Sequence, residues 1–408
     1  MIKNLKKKST ILIMSVVLIF VLTGCKLTSK KGSEGNENKL NIYLDIKDKH
    51  SLEIIKLAID EFLKDNSKVK VNTTNSIGSS IKKDVLEKKI DLIFTNKNSM
   101  MDLQNEGLLN NMDMYLKKNK IDEKFYKIIY SVGRYNDKYY GIGLAPYTVE
   151  FLYNKDKLKE LRLEEPNDTN KLKKLLQELN NKNISIPTVL TDNIDINDVI
   201  LSMVMKKNMD LYNLNLSHIG SMKKEFEEIF KRINELQKQG IINNNTFKLG
   251  NESSIKKLAN SNIPAVISIS HYNNEFKDKK NIEIIDSLQW DKNSKINLPI
   301  IIDSIMCIPM NSENNENVHN FISYVYGDKF QKKLHDKIGT TAYKKFGKQK
   351  GHIEEKTNKH IKESSVEDII VSQGMEEGLR MSIISKIEKV LSGNYTGKEY
   401  DEILEEVK

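Results

Sequence analysis

Two cysteines in 408 residues, Cys25 and Cys307, leave almost no scope for covalent cross-linking. Cys25 closes the leading segment described below, so the rest of the chain holds one thiol and can form no intrachain disulfide. Stability must come from packing. Ser304-Ile305-Met306-Cys307-Ile308-Pro309 reads as a buried strand, which makes Cys307 an inert core thiol rather than a nucleophile. Arginine is scarce too, at positions 134, 162, 232 and 380 only. A surface that reads phosphates is expected to use the bidentate guanidinium fork, so nucleic acid is not an expected partner. After Val21 no run is apolar enough to span a bilayer. Gly-x-Ser-x-Gly, His-Glu-x-x-His, a Walker loop and Cys-x-x-Cys are all absent. Gly141-x-Gly143 lacks the third glycine of a dinucleotide fingerprint. The seven histidines (50, 218, 271, 319, 335, 352 and 360) show no metal-ligand spacing, so neither metal nor cofactor is expected. Ser-x-x-Lys occurs at Ser79, Ser80, Ser221 and Ser253 without Ser-Asp-Asn or Lys-Thr-Gly, a frequency that chance supplies in a lysine-rich chain.

What is present begins at the N-terminus. Lys6-Lys7-Lys8, the apolar run Ile11 to Val21 and Leu22-Thr23-Gly24-Cys25 form a basic, then apolar, then small-residue pattern, that of a secretory signal. The run is shorter than the ~20 residues of a spanning helix. The segment resembles a bacterial lipoprotein signal. That resemblance implies cleavage before Cys25, lipidation of its sulfur, and a mature chain held on the extracytoplasmic face of the cell membrane. An uncleaved anchor helix is the alternative, and it also leaves the rest of the chain outside. Lys26 to Lys39 has no large apolar residue after Leu27 and reads as a tether. The formal charge of +9 falls to +5 once Lys3, Lys6, Lys7 and Lys8 are set aside. Abundant Lys, Asn and Ile match the codon usage of an AT-rich genome, which suggests a Gram-positive source.

The mature chain is long enough for two domains. Leu40 to Leu44 alternates as a strand, and Leu52, Ile55, Ile59 and Phe62 recur as one helix face. Val69 and Val71, then Ile81, Val85 and Leu86, then Asp91 to Thr95 repeat strand, helix, strand, which means parallel crossovers with helices on the sheet faces. Helices are expected near Ser99 to Gln104 and Glu123 to Ser131, and a hairpin at Arg134 to Tyr140 with Asn136-Asp137 at its turn. Further on, helices are expected at Lys171 to Leu179 and Ser221 to Lys238, with Gly240 as a stop. Strands follow at Ile184 to Val189, Ala265 to Ile269, Ile282 to Ile285 and Ile305 to Ile308. Two tail helices, Gly378 to Leu391 and Lys398 to Val407, flank Gly393-Asn394.

Lys138-Tyr139-Tyr140-Gly141-Ile142, then Pro146, then Leu152-Tyr153-Asn154-Lys155-Asp156, resembles the crossover segment of bacterial extracellular solute-binding proteins of the maltose-binding-like class. Asp91 to Phe94 with Gly107-Leu108-Leu109, Pro264 to Ile269, and Ile308-Pro309 with Asn320-Phe321-Ile322, Phe330-Gln331-Lys332 and Gly339 fall in that family's order. Together they span about 40 to 405. Gly143 stands where the family often has Pro, and the usual Gly-Lys-Ala-Ala start is missing at Pro264. The resemblance implies an α/β, two-lobe, periplasmic-binding-protein-like fold with a cleft between lobes joined by crossing hinge segments. The expected divisions are 1–24 signal, 25–39 tether, 40–147 with 305–345 as one lobe, and 148–304 with 346–408 as the other. It further implies capture of a small solute, by kinship a carbohydrate, for an ABC importer, by a monomer that performs no catalysis. A sensory lipoprotein reporting to a membrane kinase and a cell-wall serine-lysine enzyme are the alternatives.

In such a fold ligand contacts lie after strand C-termini and at helix N-termini. That rule selects Asp45 and Asp48 after the first strand, Asn96 and Asn98 after Phe94, Tyr147 beyond the Pro146 crossover, and His271 and Tyr272 after Ile269. Trp290 and Asp303 complete the set. Asp45, Asn96 or Asn98 could instead cap helices, and Tyr147, Trp290 and Asp303 could instead pack internally.

Overall fold

Apolar side chains on alternate positions of Lys39–Leu44 start the ordered part of the chain as strand β1, with Leu40 and Ile42 buried. The computed structural model describes residues 38–75, 80–205, 219–285, 299–312, 315–346 and 351–407. The signal, Cys25, the tether up to residue 37, Ser79 and Trp290 lie outside the described residues.

β1 pairs in parallel with β2 (Lys70–Asn75) and β3 (Leu92–Thr95), and the helices Lys49–Asp65 and Ser80–Leu86 make the crossovers. Ile54, Ile55, Ala58, Ile59 and Phe62 bury one face of the first of these helices. β3 is buried along its whole length, as a central strand requires. The expected hairpin is β4 (Arg134–Tyr135) and β5 (Lys138–Tyr139), and its turn residues Asn136 and Asp137 take φ of 46° and 62°, the left-handed pair of a type I′ turn. The expected helix at Glu123 to Ser131 is instead two single turns, Ile121–Lys124 and Ile128–Ser131. Tertiary packing breaks it: Phe125 is extended, bridges Tyr343 and sets its ring against Tyr326 and Tyr343 at 5.6 and 4.9 Å.

β6 (Ile142–Gly143) leads by way of Leu144-Ala145-Pro146 into β7 (Tyr147–Asn154), whose eight residues are all buried. Helix Lys223–Lys238 runs as expected and ends at Gly240 with φ 68°. The remaining strands are β8 (Ile186–Val189), β9 (Phe247–Leu249), β10 (Ala265–Ile269), β11 (Ile282–Ile284), β12 (Ile300–Ile301) and β13 (Ile305–Cys307). One sheet has the order β2-β1-β3-β13-β6 and the other β11-β7-β10-β8-β9, with β12 on β7. Each sheet mixes parallel and antiparallel pairs. The mixed sheets, each covered by helices, form the two-lobe α/β fold. Helices Glu316–Val325 and Asp328–Ile338 pack on Lys49–Asp65 beside the first sheet. Helices Glu377–Leu391 and Glu399–Glu406 pack on Lys223–Lys238.

The chain passes between the sheets at Leu144–Pro146 and returns at Ile302–Ser304. The passages lie side by side. Gly143 pairs with Ile305 on one sheet, Tyr147 with Ile301 on the other, and between them the Leu144 amide donates to the Ser304 carbonyl at 3.0 Å. The register never slips, so one antiparallel ribbon threads both sheets. Cys307 is buried within it, and burial pushes its thiol up, as its inert reading requires.

A Cβ on Gly141 would lie 2.3 Å from Ile305 Cγ2 and 2.9 Å from Cys307 Sγ. Gly141→Ala is therefore expected to destabilise the protein by roughly 1 to 3 kcal/mol. Urea unfolding measures this, and an unchanged midpoint would show that the ribbon is loose enough to absorb a methyl group.

Candidate functional site

Parallel strands bring their carboxyl ends to one place. β1, β3 and β8 end at Leu44, Thr95 and Val189, and the residues beyond them meet around a cavity of about 380 Å³. Asp45, Lys47 and Asn96 line it from the loops after β1 and β3, Asn98, Ser99 and Asp102 from the helix Lys97–Asn105, and Asn193 from the loop after β8. Asp303 of the return passage and the segment Ser372 to Arg380 complete the wall. A second cavity of about 860 Å³ shares Lys47, Asn193, Ile194, Glu377 and Arg380 with the first and extends past Asp192, Asn251 and Tyr272. Between the halves, the Lys49 amide donates to Asp192 Oδ2 at 3.2 Å.

Asp45 is half-buried on the smaller cavity, where its Oδ2 accepts from the Thr95 hydroxyl at 2.8 Å. Asn98 is on the same wall. Asn96 both lines the cavity and caps the helix Lys97–Asn105, its Oδ1 accepting from the Ser99 amide at 3.0 Å. Asp48 departs from expectation: it is fully buried, caps the helix Lys49–Asp65 through the Ser51 amide at 2.7 Å, and lines neither cavity. Tyr147 departs likewise. It is the first residue of β7 rather than a loop residue, fully buried, and on the wall of neither cavity, because the ribbon turns its ring inward against His271 at 6.0 Å. His271 also sits behind the cavity walls, its ring centroid 4.0 Å from that of His50 and its plane tilted by 38°. Tyr272 lines the larger cavity, and its hydroxyl lies 3.1 Å from His50 Nε2.

Asp303 is the hub. Its Oδ1 accepts from Gln373 Nε2 at 2.6 Å and Asn193 Nδ2 at 3.1 Å, while Gln373 Oε1 accepts from the Ile302 amide at 3.1 Å. Burial, with the nearby charge of Asp48, pushes the Asp303 carboxyl up to about 7. Burial and the same two carboxylates push the Tyr147 hydroxyl up as well. His271 is held down to about 3, first by burial and then by His50, so its ring is neutral. Burial likewise raises Asp102.

Asn193, Gln373, Glu377 and Arg380 were missed from sequence. The strand-end rule that selected Asp45 reaches Asn193 beyond β8 equally well, but nothing local marks Gln373. Arg380 stands out only by the rarity of arginine. It is fixed by a two-pronged bond to buried Asp198, Nε at 3.0 Å and Nη2 at 2.6 Å. The smaller cavity thus presents carboxylates, amides and the fixed Arg380 cation, donors and acceptors that suit a hydroxyl-rich solute. No aromatic ring lines it among the described residues, and Tyr272 is the one on the larger cavity.

Two lobes, a paired passage and a polar cleft at the strand ends are what a solute receptor needs, and a family model for bacterial extracellular solute-binding proteins matches residues 58–345. The chain belongs to that family. Among solved structures it is similar to a family 1 extracellular solute-binding protein from Bifidobacterium longum subsp. infantis, at 14% identity and TM-score 0.65, over 91% of this chain and 98% of that one. It is similar to the GacH receptor of Streptomyces glaucescens, known unliganded and with acarbose, at 14% identity and TM-score 0.60, over 90% and 97%. It is also similar to an ABC substrate-binding protein of Listeria monocytogenes in complex with cycloalternan, at 16% identity and TM-score 0.56, over 91% and 98%. Identities this low establish likeness of fold. No curated protein matches the chain by sequence. No described helix is long and apolar enough to cross a membrane.

Asp303 makes stability depend on pH. The folded state raises its pKa above the ordinary carboxylate value near 4 to about 7, so the stability cost is absent at low pH and complete above about pH 7. Asp303→Asn removes that cost, and its melting temperature relative to the wild type should be higher at pH 8 than at pH 5. An equal difference at both pH values would mean that Asp303 titrates as an ordinary carboxyl.

Proposed function

We propose that this protein captures a carbohydrate outside the cell and presents it, chemically unchanged, to the permease of an ABC importer. The observation that carries the proposal is the polar cavity at the ends of β1, β3 and β8, whose wall draws on loops of both sheets and on Asp303 of the passage between them. Solute held there touches both lobes, so closure adds contacts that the open form lacks, and that difference in affinity drives the switch. The lobes are 40–147 with 305–345 and 148–304 with 346–408, hinged at the ribbon.

The GacH receptor with its acarbose and the Listeria protein with its cycloalternan support a sugar as the solute class. Two cavities that share five residues offer room for an oligosaccharide, with Tyr272 as a face for one ring to stack on. Asp45, Asn98, Asn193 and Asp303 are the proposed hydroxyl ligands. A lipid on Cys25 would hold the monomer at the extracytoplasmic face of the cell membrane, within reach of the permease. No step of this role needs a nucleophile, and turnover is not part of it.

Sugars, oligosaccharides, polyamines and peptides should be screened by thermal shift on residues 39–408. Oligosaccharides are expected to raise the melting temperature with dose, and mass spectrometry should recover them unaltered. A response to polyamines alone, or a hydrolysed sugar, would overturn the proposal. Asn98→Ala should weaken sugar binding about tenfold or more, about 1.4 kcal/mol, with the melting temperature of the free protein little changed.

A further inference from the structure

We propose that His50, Glu53 and His271 form a binding site for a divalent transition-metal ion of the zinc type, placed where it ties one lobe to the other. His50 and Glu53 lie one helical turn apart at the start of Lys49–Asp65, which follows β1. His271 follows β10 of the other sheet. One ring nitrogen of each histidine and a carboxylate oxygen of Glu53 all lie within 4.8 Å of one another. Two imidazoles and one carboxylate, with water in the fourth position, are a donor set that zinc accepts. Ligand atoms around one tetrahedral zinc are about 3.4 Å apart at its usual bond lengths, a distance that a small rotation of the exposed Glu53 side chain can reach.

The two histidines give an independent sign of a ligand. His50 is only 4% exposed, yet its Nδ1 has no hydrogen-bond partner, and the same holds for His271 Nδ1. A buried imidazole nitrogen left unpaired costs stability that a metal bond would offset. The other nitrogen of His50 is already oriented, since its Nε2 lies 3.1 Å from the Tyr272 hydroxyl. That is the outer partner a metal-bound imidazole commonly has. Glu53 reaches solvent and so offers an entry path. Its Oε2 lies 3.9 Å from Lys337 Nζ, an exposed contact that a metal ion would weaken or replace.

An ion here would pin the helix after β1 to the turn after β10 and favour the closed arrangement. That consequence rests on the solute-capture reading, whereas the site itself does not. The test uses full-length protein stripped of metal and titrated with zinc chloride by calorimetry, with no sugar present. One zinc ion per chain is expected, together with a rise in melting temperature that magnesium chloride does not reproduce. His271→Asn and Glu53→Gln should each weaken zinc binding about tenfold or more, and Glu53→Gln changes only an exposed group, so it decides the matter if His271→Asn fails to fold. Absent binding, an equal response to magnesium, or affinity unchanged in Glu53→Gln would overturn the proposal.

Discussion

The molecule is organised by one antiparallel ribbon, Ile142 to Val149 running against Pro299 to Met306, that keeps its register while passing from one sheet into the other. A single slipped residue would turn every side chain on one strand to the opposite face, so both sheets are bound to the same alignment. β13 enters the first sheet between β3 and β6, and β7 enters the second between β10 and β11, because the ribbon delivers them there. Asp303 of this seam lines the smaller cavity. Gly141, at the end of the seam, shows how tight the seam is, since a Cβ there would lie 2.3 Å from Ile305 Cγ2.

That seam also sets the site's electrostatics. The ribbon holds Asp303 and Tyr147 in the interior, and the cap of the helix Lys49–Asp65 holds Asp48 there with them. Burial, with the charge of Asp48 nearby, is why the Asp303 carboxyl rises. Asn193 and Gln373 come from elements far apart in the chain to meet the same oxygen. The wall of the cleft is therefore a shared hydrogen-bond network and not a set of independent ligands.

Periodicity was a good guide where local and global demands agree. The β1 to β3 units, the Asn136-Asp137 hairpin, Lys223–Lys238 and the tail helices follow the patterns read from sequence. β7 went unrecognised as a strand although Tyr147 to Phe151 alternate apolar and polar residues, because Leu152-Tyr153 breaks the period and both faces, Thr148 and Glu150 included, are buried. Helices such as Ile196–Val204, Glu316–Val325 and His352–Glu363 were likewise missed. Of the site residues, Asp45, Asn96, Asn98, Tyr272 and Asp303 do line cavities. Asp48 obeys the same strand-end rule yet points inward, because the rule places a residue along the chain and says nothing of which way its side chain turns, and Tyr147 opens a strand instead of following one.

The sequence by itself determined the α/β class, the order of the units from β1 to β3 and the buried, inert setting of Cys307. These follow from local periodicity, turn chemistry and composition, which act over a few residues. Only the tertiary structure decided that Asp303 is held by Asn193 and Gln373, that Arg380 is locked by Asp198, and that the His50 ring meets that of His271. Each of these contacts joins residues 70 or more positions apart, brought together by the packing of whole elements. No short-range pattern in the chain encodes such a meeting, because the free energy that fixes it belongs to the folded core and not to the segments it joins.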